Sequence, residues 1–167
     1  MAEALLKKLQ GIPVCKGLSA NQIKELMAIA DEASAKAAAV LFKEGDRGDA
    51  LLVVLEGQVE VTKRGATLAK LEAGSVLGEM SLLDGDSRSA TATALTEVKY
   101  LKISSARFDK LLSADNVAAL KIVANLAQVM SRRLAMINEK LVDSLGKGPQ
   151  KKEELADFGR ILNRWSF

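Results

Sequence analysis

The pattern of hydrophobic positions changes twice along the chain, near Val40 and again after Ser104. Residues 3–37 consist of Ala-rich and Leu-rich turns, which are typical of helices, with Ser19 and Asn21 as candidate N-caps. After Ser104 the helical pattern returns. We therefore predict helices at both ends of the chain and a different structure between them.

The middle of the chain consists of short apolar or alternating runs separated by glycine-containing turns. Strict alternation, as in Gln58–Thr62, is typical of a half-buried strand. Short strands with such regular turn signals indicate a small antiparallel barrel or sandwich. The predicted strands are Ala39–Lys43, Ala50–Leu55, Gln58–Lys63, Thr67–Leu71, Ala90–Leu95 and Val98–Ile103.

The helical pattern after the strands predicts a short helix, Ser105–Leu112, and a long one over about 116–145. Apolar residues along the long helix recur at alternating steps of three and four, which is the heptad spacing of a coiled-coil seam. This stripe either packs on the chain's own barrel or forms a homodimer contact through residues 116–145. Its length favours the homodimer. The stripe comprises Leu120, Val123, Ala127, Met130, Leu134, Ile137 and Leu141.

Composition excludes several classes of protein. Lys and Arg total 24 against 21 Asp and Glu, and no stretch concentrates basic charge, so we expect no nucleic-acid partner. The chain has no histidine, which excludes Ser-His-Asp and Cys-His catalysis and histidine-ligated metals. The single cysteine, Cys15, is interpreted as a small core residue. We find no signal peptide and no membrane span, and therefore expect a cytoplasmic protein without catalytic or metal-ligating residues.

One segment, 76–92, breaks the strand pattern because Glu79 and Arg88 lie among apolar and small residues. Buried charges are costly unless they are paired, so the two either pair with each other or bind a ligand. A helical turn starting at Glu79 offers free N–H groups to an anion, and Gly78 allows close approach. The Arg88 fork suits phosphate and the Glu79 carboxylate suits a sugar hydroxyl. A cyclic nucleotide carries both groups.

The run Gly-Glu-Met-Ser-Leu-Leu, with an arginine nine residues after its glutamate and followed by Ser-Ala-Thr, resembles a known cassette. It is similar to the phosphate-binding cassette of the cyclic nucleotide-binding domains. These include the bacterial catabolite activator protein and the regulatory subunits of cyclic AMP-dependent kinase. Ile-Pro-Val-Cys-Lys-Gly-Leu-Ser, Phe-Lys-Glu-Gly-Asp-Arg-Gly-Asp and Val-Leu-Glu-Gly-Gln-Val-Glu-Val extend the resemblance over nearly all of residues 10–145.

The resemblance implies a mainly β fold with flanking α-helices. We expect an antiparallel β-roll or jelly-roll barrel with N-terminal helices, a short phosphate-cassette helix and a long C-terminal helix. The binding domain is then 1–145, with the roll at about 38–104, and a linker with an amphipathic tail helix follows at 146–167. The tail either docks on its own domain or binds a protein partner through residues 153–167.

The resemblance also implies roles for individual residues. Arg88 binds the phosphate and Glu79 the ribose 2′-hydroxyl, while Asn138 is the base contact expected from the long helix. Asn138 is equally explained as a polar residue that sets the register of a helix seam. The expected ligand-binding residues are Gly78, Glu79, Met80, Ser81, Arg88, Ser89, Ala90, Val61, Leu68, Leu77 and Asn138.

Two functions of different classes are consistent with this sequence. The first is a stand-alone receptor for cyclic AMP or cyclic GMP, without a cofactor, that signals to a separate partner through its C-terminal helix and tail. The second is a protein-interaction scaffold that keeps the fold and has lost nucleotide binding. About 20 residues follow the long helix, too few for a DNA-binding helix-turn-helix. An enzyme is not expected.

Overall fold

The computed structural model describes residues 2–84 and 87–145. The predicted linker and tail, 146–167, lie outside these residues. The helices are α1 (Ala2–Gln10), α2 (Ala20–Ala28), α3 (Glu79–Asp84), α4 (Ser105–Ser113) and α5 (Val117–Leu145), with a short 3-10 helix at Pro13–Cys15. The strands are β1 (Ala30–Ala35), β2 (Val40–Phe42), β3 (Ala50–Glu56), β4 (Val59–Lys63), β5 (Ala66–Leu71), β6 (Val76–Leu77), β7 (Thr91–Ala94) and β8 (Val98–Ser104).

The described strands form two four-stranded sheets, in the orders β1-β8-β3-β6 and β2-β7-β4-β5, and all paired strands are antiparallel. The fold class expected from the sequence is therefore confirmed. The chain divides into two compact units between Leu126 and Ala127. The first unit contains both sheets and the start of α5, and the described part of the second is the remainder of α5.

The helical prediction for residues 3–37 is wrong over β1. This segment, Ala-Asp-Glu-Ala-Ser-Ala, has no bulky apolar residue, so it carries no clear hydrophobic period in the sequence. It becomes a strand because it pairs with β8, from Ala30 opposite Ile103 to Ala35 opposite Val98. A long-range pairing thus overrides a local helical preference, and the first strand starts earlier than the predicted 38–104 roll.

Strand β3 divides the apolar core into two clusters. Leu51 and Val53 belong to the cluster that includes the helices, whereas Leu52 and Val54 belong to the cluster of strand residues with Val59, Leu77 and Ala92. Side chains alternate across a strand, so a strand covered on both faces is apolar throughout. The helical side of the first cluster comprises Leu9, Ile23, Leu26, Phe108, Ala118, Ala119, Ile122 and Leu126.

Two short-range predictions are confirmed in this part of the chain. Ser19 is the N-cap of α2: its side chain accepts a hydrogen bond from the Gln22 N–H, and the Gln22 side chain accepts one from the Ser19 N–H. Cys15 is 1% exposed within the first cluster. Burial raises the pKa of its thiol to about 11, so the thiol is protonated at neutral pH.

An ion-pair network joins α1 to two strands. The Glu56 carboxylate lies 2.8 Å from Lys8 Nζ and 2.9 Å from Lys99 Nζ. The hydrogen bonds from Lys8 and Lys99 lower the pKa of Glu56 from 4.5 to about 2. These three side chains also line a groove of about 610 Å³, which none of the predicted ligand-binding residues lines.

We predict that Glu56→Gln changes how stability depends on pH. A lowered pKa contributes stability above the ordinary value of 4.5, and this contribution is lost as pH falls towards about 2. The urea midpoint of the wild type should therefore fall more steeply over this window than that of Glu56→Gln. Because the groups are exposed, about 1 M salt should reduce the difference. Parallel pH profiles would contradict the prediction.

Candidate cyclic nucleotide site

The predicted cassette lies between the end of β6 and the start of β7. Leu77 ends β6, Gly78 turns the chain, and α3 begins at Glu79. Gly78 has a φ of +77°, in the left-handed region that favours glycine. A Cβ built on Gly78 collides with Arg88 Nη1, so only glycine leaves room for the guanidinium.

The loop between β2 and β3 holds Arg88 through the backbone. The Arg88 N–H donates to the Asp46 carbonyl at 2.7 Å, and the Gly45 N–H donates to the Arg88 carbonyl at 2.9 Å. Arg47 and Ser87 also form an isolated antiparallel β-bridge through their backbones. The arginine is therefore positioned by a segment about 40 residues away in sequence, which local pattern does not reveal.

The Arg88 guanidinium is buried, with the residue only 4% exposed. Its Nη2 donates to the Ala50 carbonyl at 2.7 Å and lies 3.6 Å from the Asp49 carboxylate. Nη1 lies 3.5 Å from the Gly78 carbonyl. Among the described residues Nε has no hydrogen-bond partner. Burial lowers the pKa of Arg88, and the charges of Asp49, Asp46 and Glu79 oppose that effect. The buried cation thus retains donor capacity for an anion.

Glu79 is 9% exposed and is the first residue of α3. Its charge favours the ionised form of Arg88. The Asp49 carboxylate also lies 3.6 Å from Arg88 Nη2. Glu79 is therefore one of several negative charges around Arg88.

Most of the predicted apolar residues lie together, and one does not. Leu77 and half-buried Val61 belong to the same apolar cluster, and Ala90 is 7% exposed. Leu68 is 55% exposed and lies outside both clusters. It falls at a β-bulge, where the register passes from Val61 opposite Ala69 to Thr62 opposite Thr67. The bulge interrupts the alternation of side chains along β5. The family resemblance is what assigns Leu68 to the apolar wall, and that role stays a prediction.

Of the other cassette residues, Met80 and Ser81 lie in α3, and Ser89 directly follows Arg88. The Ser89 hydroxyl donates to the Met80 sulfur at 3.6 Å, and both residues are exposed. Asn138 is half-buried on α5 in the second unit, so its contact with a base stays a prediction.

Two residues of the site were not among the residues predicted from the sequence. Asp49 supplies the carboxylate beside Arg88, and the Phe42 ring centroid lies 4.4 Å from Arg88 Cζ. Both belong to the run Phe-Lys-Glu-Gly-Asp-Arg-Gly-Asp, which carries part of the resemblance. The motif was therefore visible, but only the folded structure shows that its two ends meet the arginine.

Comparison with known proteins decides the family. Residues 32–115, half of the chain, match the sequence model of the cyclic nucleotide-binding domain. The chain belongs to the cyclic nucleotide-binding domain family. This family is regulatory rather than catalytic, and the chain is homologous to regulatory domains of cyclic nucleotide-dependent kinases and to bacterial regulators.

Individual relatives agree with this assignment. The cGMP-dependent protein kinase egl-4 of Caenorhabditis briggsae is 43% identical over 84 residues, which are 50% of this chain and 11% of the kinase. A cyclic nucleotide-binding domain from Methylobacillus flagellatus has a TM-score of 0.76 at 28% identity and covers 88% of this chain and 85% of its own. The Thermus thermophilus catabolite activator protein has a TM-score of 0.67 at 30% identity, over 77% and 61%.

Two further features are absent from the described part of the chain. Within residues 2–84 and 87–145, no helix has the length and apolar character needed to cross a membrane. Over these residues, no group of three His, Cys, Asp or Glu side chains is placed to hold a metal ion.

We predict that Gly78→Ala destabilises this cyclic nucleotide-binding domain more than Gly65→Ala. The two glycines have nearly equal φ values, +77° and +79°, so each alanine incurs the same backbone cost of about 1 kcal/mol. A Cβ at Gly65 meets nothing within 4 Å, whereas one at Gly78 displaces Arg88. Urea unfolding of both variants measures the difference. Equal midpoints would show that Gly78 is required for its backbone conformation alone.

Proposed function

We propose that this domain is a receptor for a cyclic mononucleotide, cyclic AMP or cyclic GMP. The observation that carries the proposal is the buried Arg88 guanidinium, with Nε unpartnered among the described residues, beside Glu79 at the start of a helix. A phosphate supplies the missing acceptor and opposite charge, and a helix N-terminus adds a favourable dipole. Similarity to a cGMP-dependent protein kinase supports the ligand class.

Each predicted residue has a role in this proposal. Arg88 binds the exocyclic phosphate, Glu79 accepts a hydrogen bond from the ribose 2′-hydroxyl, and Gly78 leaves space for the guanidinium. Backbone N–H groups of Ser81 and of Ser89–Ala90 complete the cradle. The apolar wall consists of Leu77 and Val61, with exposed Leu68 at its edge; Met80, Ser89 and Asn138 are the remaining proposed contacts.

We infer that the domain binds its nucleotide without converting it, and that it acts in the cytoplasm. The regulatory character of the family supports the first inference. The signal then passes to a separate protein through α5 and the tail. The prediction that 153–167 binds this protein partner concerns residues outside those the structure describes.

The receptor proposal is tested by calorimetric titration of nucleotide-free protein with cyclic AMP and then cyclic GMP. We expect micromolar or tighter binding to one of them. Arg88→Leu should weaken it by about 10- to 100-fold or more, because charge-assisted hydrogen bonds are each worth about 1.5–3 kcal/mol. Arg88→Lys should recover only part of the loss, since it keeps the charge without the fork.

The matched control is Arg107→Leu, which removes an exposed arginine paired with Asp31 at 3.2 Å. It should leave affinity unchanged. Undiminished binding by Arg88→Leu would overturn the site, and a wild type that binds neither nucleotide would overturn the receptor proposal. The protein-interaction scaffold would then be the better account of this fold.

We also propose that the domain forms a homodimer through α5. In the first unit this helix turns Ala118, Ala119, Ile122 and Leu126 into the core, and these residues do not belong to the heptad stripe. Three residues of the stripe are exposed, Leu120 at 50%, Leu134 at 55% and Ile137 at 61%, whereas Val123 is partly buried against the first cluster. An exposed apolar seam with heptad spacing fits a second copy of the same helix.

We expect Leu134→Asp with Ile137→Asp to convert a dimer into a monomer in sedimentation-velocity runs, because buried charges have no partner at such a seam. Gln128→Asp with Ala135→Asp places two aspartates at exposed positions of α5 outside the stripe and should leave the dimer intact. A wild type that sediments as a monomer at high micromolar concentration would contradict the proposal.

A further inference from the structure

The guanidinium of Arg88 lies against an aromatic ring. Arg88 Cζ is 4.4 Å from the centroid of Phe42, well within the distance at which a cation is attracted to a ring face. Phe42 is the last residue of β2 and pairs with Ala92 of β7, the strand that follows Arg88. Strand pairing therefore places the ring beside the arginine.

Packing alone does not require a ring at this position. Phe42 packs partly buried against the second apolar cluster, whose other members are largely aliphatic. Its neighbours in β2 are Val40 and Leu41, and aromatic residues make up only 4% of the chain. A leucine would meet the apolar demand of the cluster. What only an aromatic residue adds is the negative face of its ring.

The other contacts of the guanidinium compensate its buried charge only in part, so the ring face can contribute. Asp49, at 3.6 Å from Nη2, is itself 61% exposed and lies 3.3 Å from Lys102 Nζ, so its charge is shared and screened. The Ala50 carbonyl accepts one hydrogen bond from Nη2 at 2.7 Å, the Gly78 carbonyl lies 3.5 Å from Nη1, and Nε has no acceptor among the described residues. A ring face stabilises the buried charge without occupying any N–H donor, so the donors stay available for a ligand.

We propose that Phe42 is a positioning residue for Arg88: the face of its ring holds the charged guanidinium in place for the phosphate of the ligand. The role in binding rests on the proposed receptor function. The contact between the Phe42 ring and Arg88 in the nucleotide-free protein does not rest on that function. Both parts depend on the electrons of the ring rather than on its size, and this separates the proposal from a packing role.

The experiment replaces Phe42 by 4-fluoro-, 3,5-difluoro- and 3,4,5-trifluorophenylalanine in the full chain. Fluorine withdraws electrons from the ring face and changes its volume little. The first readout is the urea midpoint without nucleotide, in the wild type and in Arg88→Met, which keeps an unbranched apolar stem. We expect the midpoint to fall stepwise with fluorination when Arg88 is present and to stay level in Arg88→Met.

The second readout is the dissociation constant for cyclic AMP and cyclic GMP across the same series. A desolvated cation–π contact corresponds to about a 30-fold change in affinity, so trifluorophenylalanine and Phe42→Leu should weaken binding by up to about that factor. Phe42→Tyr keeps the aromatic face and should bind nucleotide with the affinity of the wild type. A packing role predicts no trend with fluorine number.

The outcomes separate this proposal from the receptor proposal. A midpoint that does not depend on fluorination in the Arg88 protein overturns the cation–π contact, whatever the binding result. A stepwise midpoint in a protein that binds neither nucleotide supports the contact while the receptor function fails. Stepwise midpoints with unchanged affinity overturn the positioning role for the ligand.

Discussion

The structure of the site depends on burying one guanidinium. Removing a cation from water is costly unless its surroundings supply charge and hydrogen bonds, and Arg88 is 4% exposed. Its partners are the Ala50 and Gly78 carbonyls, the Asp49 carboxylate and the Phe42 ring. They come from β2, the loop that follows it, β3 and the turn after β6. The site is therefore assembled only when strands of both sheets have been brought together.

Strand β3 connects this site to the helices of the first unit. Ala50, at its start, accepts a hydrogen bond from Arg88. The residues that follow alternate between the cluster of strand residues and the cluster that reaches Ile122 and Leu126 of α5. Both faces of β3 are packed. A shift of Arg88 that moves Ala50 therefore displaces closely packed side chains. This gives the proposed receptor a contiguous packed route from its phosphate site to its long helix.

The sequence predicted the described part of the long helix well and left its packing open. Its length and heptad stripe follow from the 3.6-residue period, since every turn repeats the same local geometry. Which face enters the core is a property of the other elements. The structure assigns Ala118 and Ala119 to the core and leaves Leu120 half-exposed, although leucine is the larger apolar residue. Small residues such as alanine allow α5 to approach the core closely. A hydrophobicity pattern does not show this, because it favours the larger leucine for the buried face.

Local chemistry was therefore determined by the sequence itself: most strands, the Ser19 cap, the cassette with Glu79 and Arg88, and the family it resembles. Such features depend on neighbours within a few residues, where steric preference and periodicity act. Tertiary structure alone decided that β1 is a strand and that Asp49 and Phe42 meet Arg88. The bulge that exposes Leu68 also belongs to this second group. These outcomes depend on pairing between distant strands, and no local pattern records which distant residues a strand will face.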